Sequence, residues 1–290
     1  MRLPFLALFL LALAGCANPG LVAESAPDLH RGAVAAAAQT DATFAATNSS
    51  GRSADMDRLL LAAEAPEQAL PTISNDQFIL VIESETQAQW RDLFAAITGY
   101  TGSLVKLADP ALAAGVGADL TAAGNSFNAL AGGSASGGAI AGFVGTVGSA
   151  IVSAAGERKA INVMGKVDPA FYDLLTSMAD TLGKTDDDGL RGTVAGTWND
   201  AKLQVLRTRY GSLPRGPEYT AARRLLLQDY VANLQQRDAA LAALANLRQS
   251  MIALAEAHRA IVQNRDFDAN AWLDRIDRFA DDIALQLKPK

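Results

Sequence analysis

The sequence predicts an all-α protein, an elongated antiparallel helical bundle with long helices that pack in the manner of a coiled coil. Alanine occupies 58 of the 290 positions, and alanine has the highest intrinsic helix propensity. Aromatic residues make up only 6% of the chain, which argues against a β sandwich or barrel. Several long stretches also place apolar residues three or four positions apart, the spacing of a single apolar helix face.

Charge and composition exclude several classes of function. The chain carries a formal net charge of −6, which argues against non-specific binding to nucleic acid. A single cysteine and two histidines are too few for a disulfide framework or the usual zinc sites. We therefore expect no metal and no cofactor.

The first residues carry the strongest functional signal. Residues 3–14 are apolar and uncharged, but this run is shorter than the 20 or so residues that a spanning helix needs. It has the length of the apolar region of a secretory signal peptide. Leu13, Ala14, Gly15 and Cys16 follow, and they resemble the lipobox of bacterial lipoprotein precursors.

The lipobox resemblance covers about the first 18 residues and implies that residues 1–15 are a signal peptide removed before Cys16. The Cys16 thiol is the group that the lipid would modify. In that family an aspartate after the cysteine signals retention in the inner membrane, and this chain has Ala17 there. The resemblance thus implies an outer-membrane lipoprotein of the bacterial envelope that faces the periplasm.

The remaining chain divides into a tether and a helical body. Residues 17–53 show no sustained apolar periodicity, so we expect residues 16–53 to comprise the lipidated cysteine and a flexible tether. Residues 54–290 are expected to form the bundle domain, which resembles uncharacterised alanine-rich helical lipoproteins. The helices predicted within it cover about 55–69, 75–107, 110–131, 139–165, 168–182, 190–210, 218–263 and 270–287. Residues 78–84 also fit a buried strand, but the absence of a partner strand favours helix.

The most unusual part of the body is a run of 37 residues, 120–156, without a charged side chain. Small residues recur there at helical spacing, and Gly138, Gly142 and Gly145 are the candidates for close helix packing or membrane contact. One interpretation is a central helix that its neighbours bury on all sides. The other is a membrane-active hairpin or a self-assembling glycine-rich helix.

Motifs for catalysis or metal binding are incomplete. Gly183, Lys184 and Thr185 resemble the end of a P-loop, but Met178 stands where its first glycine is required. Residues 266–277 have the first spacings of an EF-hand and lack its central glycine and its final glutamate. His258 lies beside an apolar stripe, and we expect it to be a packed residue. The sequence therefore predicts a protein that is not an enzyme.

We expect the protein to be a non-enzymatic envelope lipoprotein that presents its bundle for protein–protein interaction or as a structural spacer. Its partners would be the membrane, through the lipid anchor, and a second protein or another copy of itself. One alternative is a membrane-perturbing or self-assembling protein that acts through residues 120–156. A second alternative is a small-ligand carrier or enzyme with a cavity in the bundle.

Overall fold

A computed structural model describes residues 19–63, 78, 80–132, 138–263 and 278. The predicted signal peptide, Cys16 and, except for Arg278, the predicted helix 270–287 lie outside the described residues. The α-helices are α1 (Pro19–Ala63), α2 (Ser84–Ala108), α3 (Val116–Gly132), α4 (Gly138–Ala154), α5 (Ala160–Leu182), α6 (Gly189–Thr197), α7 (Gln204–Ser212) and α8 (Thr220–Val262). The described part of the chain is helical and contains no strand, so the predicted all-α class is confirmed.

The first helix corrects the predicted tether. Residues 19–63 form the 45-residue helix α1, which packs along α2 and α8. Its buried face consists mainly of small side chains at helical spacing, with three large apolar residues. Its buried residues include Val22, Ala26, Leu29, Ala33, Ala36, Thr40, Thr43, Phe44 and Thr47. Alanine and threonine fill this face, so the apolar stripe was too weak to recognise in the sequence.

The long helices run antiparallel to their main partners. His30 of α1 contacts Thr101 of α2, whereas the guanidinium of Arg91, nearer the start of α2, lies 3.2 Å from the carboxylate of Asp41. On the other side of α1, the Ser250 hydroxyl of α8 donates to the side-chain oxygen of Gln39 at 3.0 Å. The end of α8 therefore lies beside the start of α1.

Helix α2 begins later than the sequence predicts. Residues 80–83 are not helical, and Ser84 is the first residue of α2. The buried side chain of Asn48 supplies the hydrogen bonds that a helix would otherwise give to Ile82. The amide nitrogen of Asn48 donates to the Ile82 carbonyl, and the amide oxygen of Asn48 accepts from the Ile82 N–H, both at 2.8 Å. This contact from another helix holds Ile82 outside α2, and no local pattern could have predicted it.

Helices α3 and α4 form an antiparallel hairpin from most of the uncharged run. The closest approach lies between Gly124 and Gly148, where a Cβ atom on Gly148 would lie 2.7 Å from the Gly124 carbonyl oxygen. Such a distance excludes any side chain at that point without movement of the backbone. The inner side of α4 packs Val144, Val147 and Ile151 into the core. Its outer side is exposed, so α4 is not a central helix buried on all sides.

Helix α5 corrects another predicted boundary. The sequence suggested that a helix opens at Asp168 and Pro169, but α5 begins at Ala160 and continues through Pro169. The proline ring is exposed, and the residue four positions earlier is Gly165, with open space around it. The carbonyl that loses its partner is thus on the solvent side, where water can satisfy it. The break between helices lies instead at residues 155–159.

The last part of the described chain matches its prediction closely. The predicted helix 190–210 appears as α6 and α7, joined by a π-helical turn at Trp198–Leu203 that buries Trp198 completely. The predicted helix 218–263 appears as α8, and its 43 residues span about 65 Å. Only the second half of α8 is deeply buried along its length, from Ala240 to Ile261.

Candidate functional site

A buried polar network joins three helices in the centre of the bundle. Tyr100 of α2 lies with its hydroxyl 2.9 Å from Nε2 of His258 of α8, and Nδ1 of the same ring lies 3.0 Å from Oδ1 of Asp168 of α5. The second carboxylate oxygen of Asp168 accepts from Nε of Arg259 at 3.2 Å. The Phe171 ring covers the histidine, with 4.8 Å between the ring centroids.

The directions of the pKa shifts in this network indicate which of its groups carry a proton. Burial lowers the pKa of His258, although Asp168 opposes that shift, so the imidazole is neutral at pH 7. Burial disfavours the charged form of Asp168, but His258 and Arg259 outweigh this effect and hold its pKa below the ordinary value. Burial and the nearby Asp168 carboxylate raise the pKa of Tyr100 well above its ordinary value. Tyr100 therefore donates to Nε2, and Nδ1–H donates to Asp168.

A tyrosine, a histidine and a carboxylate in series can pass a proton in an enzyme. Here both Tyr100 and His258 have no exposed surface, so a substrate has no route to either ring in this conformation. The network instead gives every polar atom of the His258 ring a partner and ties α2, α5 and α8 together. This geometry confirms the expectation that His258 is a packed residue.

A groove near the beginning of α8 is a second candidate site. We call it the α8 groove; it has a volume of about 650 Å³. Its lining includes Tyr210, Thr220, Arg224, Leu227, Val231 and Gln235. The apolar members are well exposed: Tyr210 is 41% exposed, Leu227 47% and Val231 49%.

The α8 groove lies at the end of the bundle remote from the start of α1. Because α1 and α8 are antiparallel, His258 of α8 and His30 of α1 lie at about the same level, each beside the Tyr100–Thr101 turn of α2. Leu227 precedes His258 by 31 residues, which corresponds to about 45 Å along α8. If the protein were attached at the start of α1, the α8 groove would therefore lie far from the point of attachment.

A further cavity of about 610 Å³ opens between α1 and α2. Its lining combines the His30 ring, the apolar side chains of Val34 and Phe94, and the exposed ion pair of Asp41 and Arg91. Partial burial lowers the pKa of His30. The histidine that the sequence placed in a tether is thus part of a folded surface.

The sequence-predicted site residues have different environments. Cys16 lies outside the described residues. Gly142 faces open space, whereas a Cβ atom at Gly145 would lie 3.3 Å from the Cβ of Ala131 on α3. Gly138 begins α4, next to undescribed residues. The close contact between α3 and α4 instead involves Gly124 and Gly148, which were not among the glycines predicted from the sequence.

The described part of the chain contains neither a metal-binding cluster nor a membrane-spanning helix. No group of three or more histidine, cysteine, aspartate or glutamate side chains is arranged to hold a metal ion there. Among the helices described, none is both long enough and apolar enough to cross a bilayer. The EF-hand-like residues 266–277 lie outside the described residues.

The aspartates of the loop between α5 and α6 are used within the loop. The Asp188 carboxylate accepts hydrogen bonds from the backbone N–H and the hydroxyl of Thr185, and Asp186 pairs with Arg191. Gly183, at the start of this loop, has a φ of +100° and no room for a side chain beside the Asp188 carbonyl. The glycine that resembled part of a P-loop is therefore required by the turn.

Comparison with known proteins adds no assignment. No protein-family model matches the chain, and no curated protein or solved structure shows significant similarity to it.

Proposed function

We propose that the protein is a lipid-anchored protein of the bacterial outer membrane that faces the periplasm and acts by non-covalent contact with other proteins. The observation that carries the proposal is the position of Cys16 relative to α1. Helix α1 begins at Pro19, only three residues after the cysteine of the lipobox-like sequence. A lipid on Cys16 would hold that end of the bundle at the membrane and direct the α8 groove into the aqueous space.

The distribution of side chains favours contact over catalysis. The groups best suited to acid–base chemistry, Tyr100 and His258, are sealed in the core and satisfy each other. Apolar side chains such as Leu225, which is 62% exposed, lie instead on the surface at the remote end. Exposed apolar groups beside polar ones are typical of surfaces that bind proteins.

A second candidate function uses the outer face of the α3–α4 hairpin. Gly142, Thr146 and Ser153 are exposed on α4, as are the apolar side chains of Phe143 and Val152 in part. A protein surface normally carries many charged groups, and this face has none. These features favour lipid contact or self-association as the alternative to partner binding.

Fractionation of cells that express the full chain or its Cys16→Ser variant tests the proposal. We expect the wild type to require detergent for extraction and the variant to lose its lipid mass and membrane attachment. Ala17→Asp should redirect the lipidated protein to the inner membrane, and Ala17→Ser is the matched control. A wild-type protein without lipid on Cys16 would contradict the proposal.

The alternative predicts a different fractionation result. If the Cys16→Ser protein has lost its signal peptide by intact mass and still sediments with membranes, the body itself contacts lipid. Phe143→Asp should then release it, while Leu112→Asp, an exposed apolar position outside the hairpin, should not.

A further inference from the structure

We propose that the α8 groove binds an amphipathic helix with acidic flanks from a partner protein. The inference deepens the proposed function, because it names the kind of partner that the anchored bundle would bind.

The shape of the α8 groove fits a helix. Its lining residues on α8 follow one stripe from Thr220 through Leu227 and Val231 to Gln235. These positions extend over about 22 Å, or four helical turns, which is the length of a short recognition helix. Tyr210 of α7 also lines the groove. The partner helix would lie along α8 and place its apolar residues against Leu227 and Val231.

The charge around the α8 groove specifies the flanks of the partner helix. Five basic residues and one acidic residue occupy positions 203–224, although the whole chain has a net charge of −6. Arg223 and Arg224 line the groove itself. The guanidinium of Arg223 also donates to the carbonyl of Gly216, so this arginine is held in place by the turn before α8. Acidic residues on the partner would meet this local excess of positive charge.

The apolar side chains provide the second half of the recognition. Four of the nine large apolar residues that are exposed in the described structure belong to this end of the bundle: Tyr210, Leu225, Leu227 and Val231. Leu227 and Val231 are four residues apart and therefore lie next to each other on one helix face. A partner with charge alone would leave these side chains in water.

Two other occupants fit the observations less well. The membrane that holds Cys16 under the proposed function lies beyond the start of α1, whereas Leu227 lies about 45 Å along α8 from His258 in the opposite direction. A symmetric dimer through this surface would bring Arg224 of one copy near the same basic residues of the other, and like charges at an interface oppose binding. An acidic amphipathic helix satisfies both the charge and the apolar surface.

The test uses the full chain in nanodiscs of zwitterionic lipid. The probe is a fluorescent helical peptide of about 16 residues, with leucine at positions i, i+3, i+4 and i+7 and glutamate on both flanks. Its controls are a peptide of the same composition in scrambled order and a peptide with every glutamate replaced by lysine. Fluorescence anisotropy measures binding at low and high salt.

We expect the acidic amphipathic peptide to bind and both control peptides to bind at least about tenfold more weakly. Arg224→Glu and Val231→Asp should each weaken binding by about tenfold or more, and high salt should weaken it too. Arg158→Glu, a change of an exposed arginine in the α4–α5 loop, should leave binding unchanged. Unchanged melting temperatures establish that the variants are folded.

Three results would overturn the inference. One is no binding of the acidic peptide at about 1 mM, the level of very weak association. Another is equal binding of the scrambled peptide, since that requires only charge. The third is binding to a different occupant while the peptide does not bind. It would appear as flotation of the nanodiscs with anionic vesicles, or as self-association, and Arg224→Glu would abolish it. Each leaves the fractionation test of the lipid anchor unaffected, so the two proposals fail separately.

Discussion

The hydroxyl of Tyr100 lies 2.9 Å from Nε2 of His258, at a point where both side chains are completely buried. The two residues are 158 positions apart in the chain, so this contact exists only when α2 and α8 are packed together. It also fixes which nitrogen of the imidazole carries the proton, because Nε2 accepts from Tyr100 and Nδ1 is left to donate to Asp168. The stability of the bundle therefore depends on the polar groups in its centre as well as on its apolar side chains.

Tyr100→Phe should lower the free energy of unfolding by about 1–3 kcal/mol, because Nε2 of His258 would lose its donor at a completely buried position. Chemical denaturation followed by circular dichroism measures the change. Tyr210→Phe, at an exposed tyrosine, is the matched control and should have little effect. Equal stability of the Tyr100→Phe variant and the wild type would mean that the hydrogen bond contributes nothing net.

The bundle should lose stability as the pH falls from about 7.5 to 5. The pKa of His258 in the folded protein lies below its ordinary value of 6.5, so the unfolded chain binds more protons in this range. His30 has a shift in the same direction and contributes with the same sign. The low pKa of Asp168 acts only at more acidic pH, where its carboxylate becomes protonated.

Denaturation curves at several pH values measure the slope of the free energy of unfolding against pH. Two variants show how much of that slope each histidine contributes. His258→Gln should remove most of the slope, whereas His30→Gln should remove a smaller part because His30 is only partly buried. If stability rises as the pH falls, His258 is instead protonated in the folded protein, and Asp168 controls its pKa.

Gly148→Ala should destabilise the bundle by about 1–3 kcal/mol, since the added methyl group would overlap Asn128 and the Gly124 carbonyl. Gly142→Ala is the matched change on the same helix. It adds a methyl group to open space and should stabilise the protein by up to about 1 kcal/mol through helix propensity. Melting temperatures that shift in the same direction for both variants would contradict the observed packing of α4.

Asn48→Asp should destabilise the protein by about 2–3 kcal/mol. The change replaces the amide nitrogen that donates to the Ile82 carbonyl with an oxygen, which repels that carbonyl in a buried site. Asn125→Asp, at an exposed position of α3, is the control. Protease sensitivity of the segment before α2 should increase in the Asn48 variant alone. An intact segment with unchanged stability would show that Ile82 is held by other contacts.

Much of the fold could be predicted from the sequence, because the elements with large apolar residues at helical spacing are visible locally. Helix α8 is the clearest example: Leu241, Leu244 and Leu247 belong to its buried stripe, and its bounds match the prediction within two residues. Helix α1 could not be recognised, since its buried face relies on small residues such as Ala33 and Thr40, which do not form a visible stripe of large apolar side chains.

The candidate sites were harder to predict than the helices. Tyr100, Asp168 and His258 each look ordinary in sequence, and only the packing of three helices brings them together. The α8 groove did have a local signal in the basic residues between Lys202 and Arg224, next to exposed leucines. The small-residue rows drew attention instead to Gly142, which the structure places in open space.

The short connection between Cys16 and Pro19 sets how freely the body would move if the cysteine carries the proposed lipid. Three residues reach at most about 10 Å, so the start of α1 would stay close to the bilayer surface. The height of the α8 groove above the membrane would then change through tilting of the whole bundle and not through extension of a linker. Partners held in the same membrane, with a binding helix at the height of the far end of the bundle, would encounter the groove at a raised effective concentration.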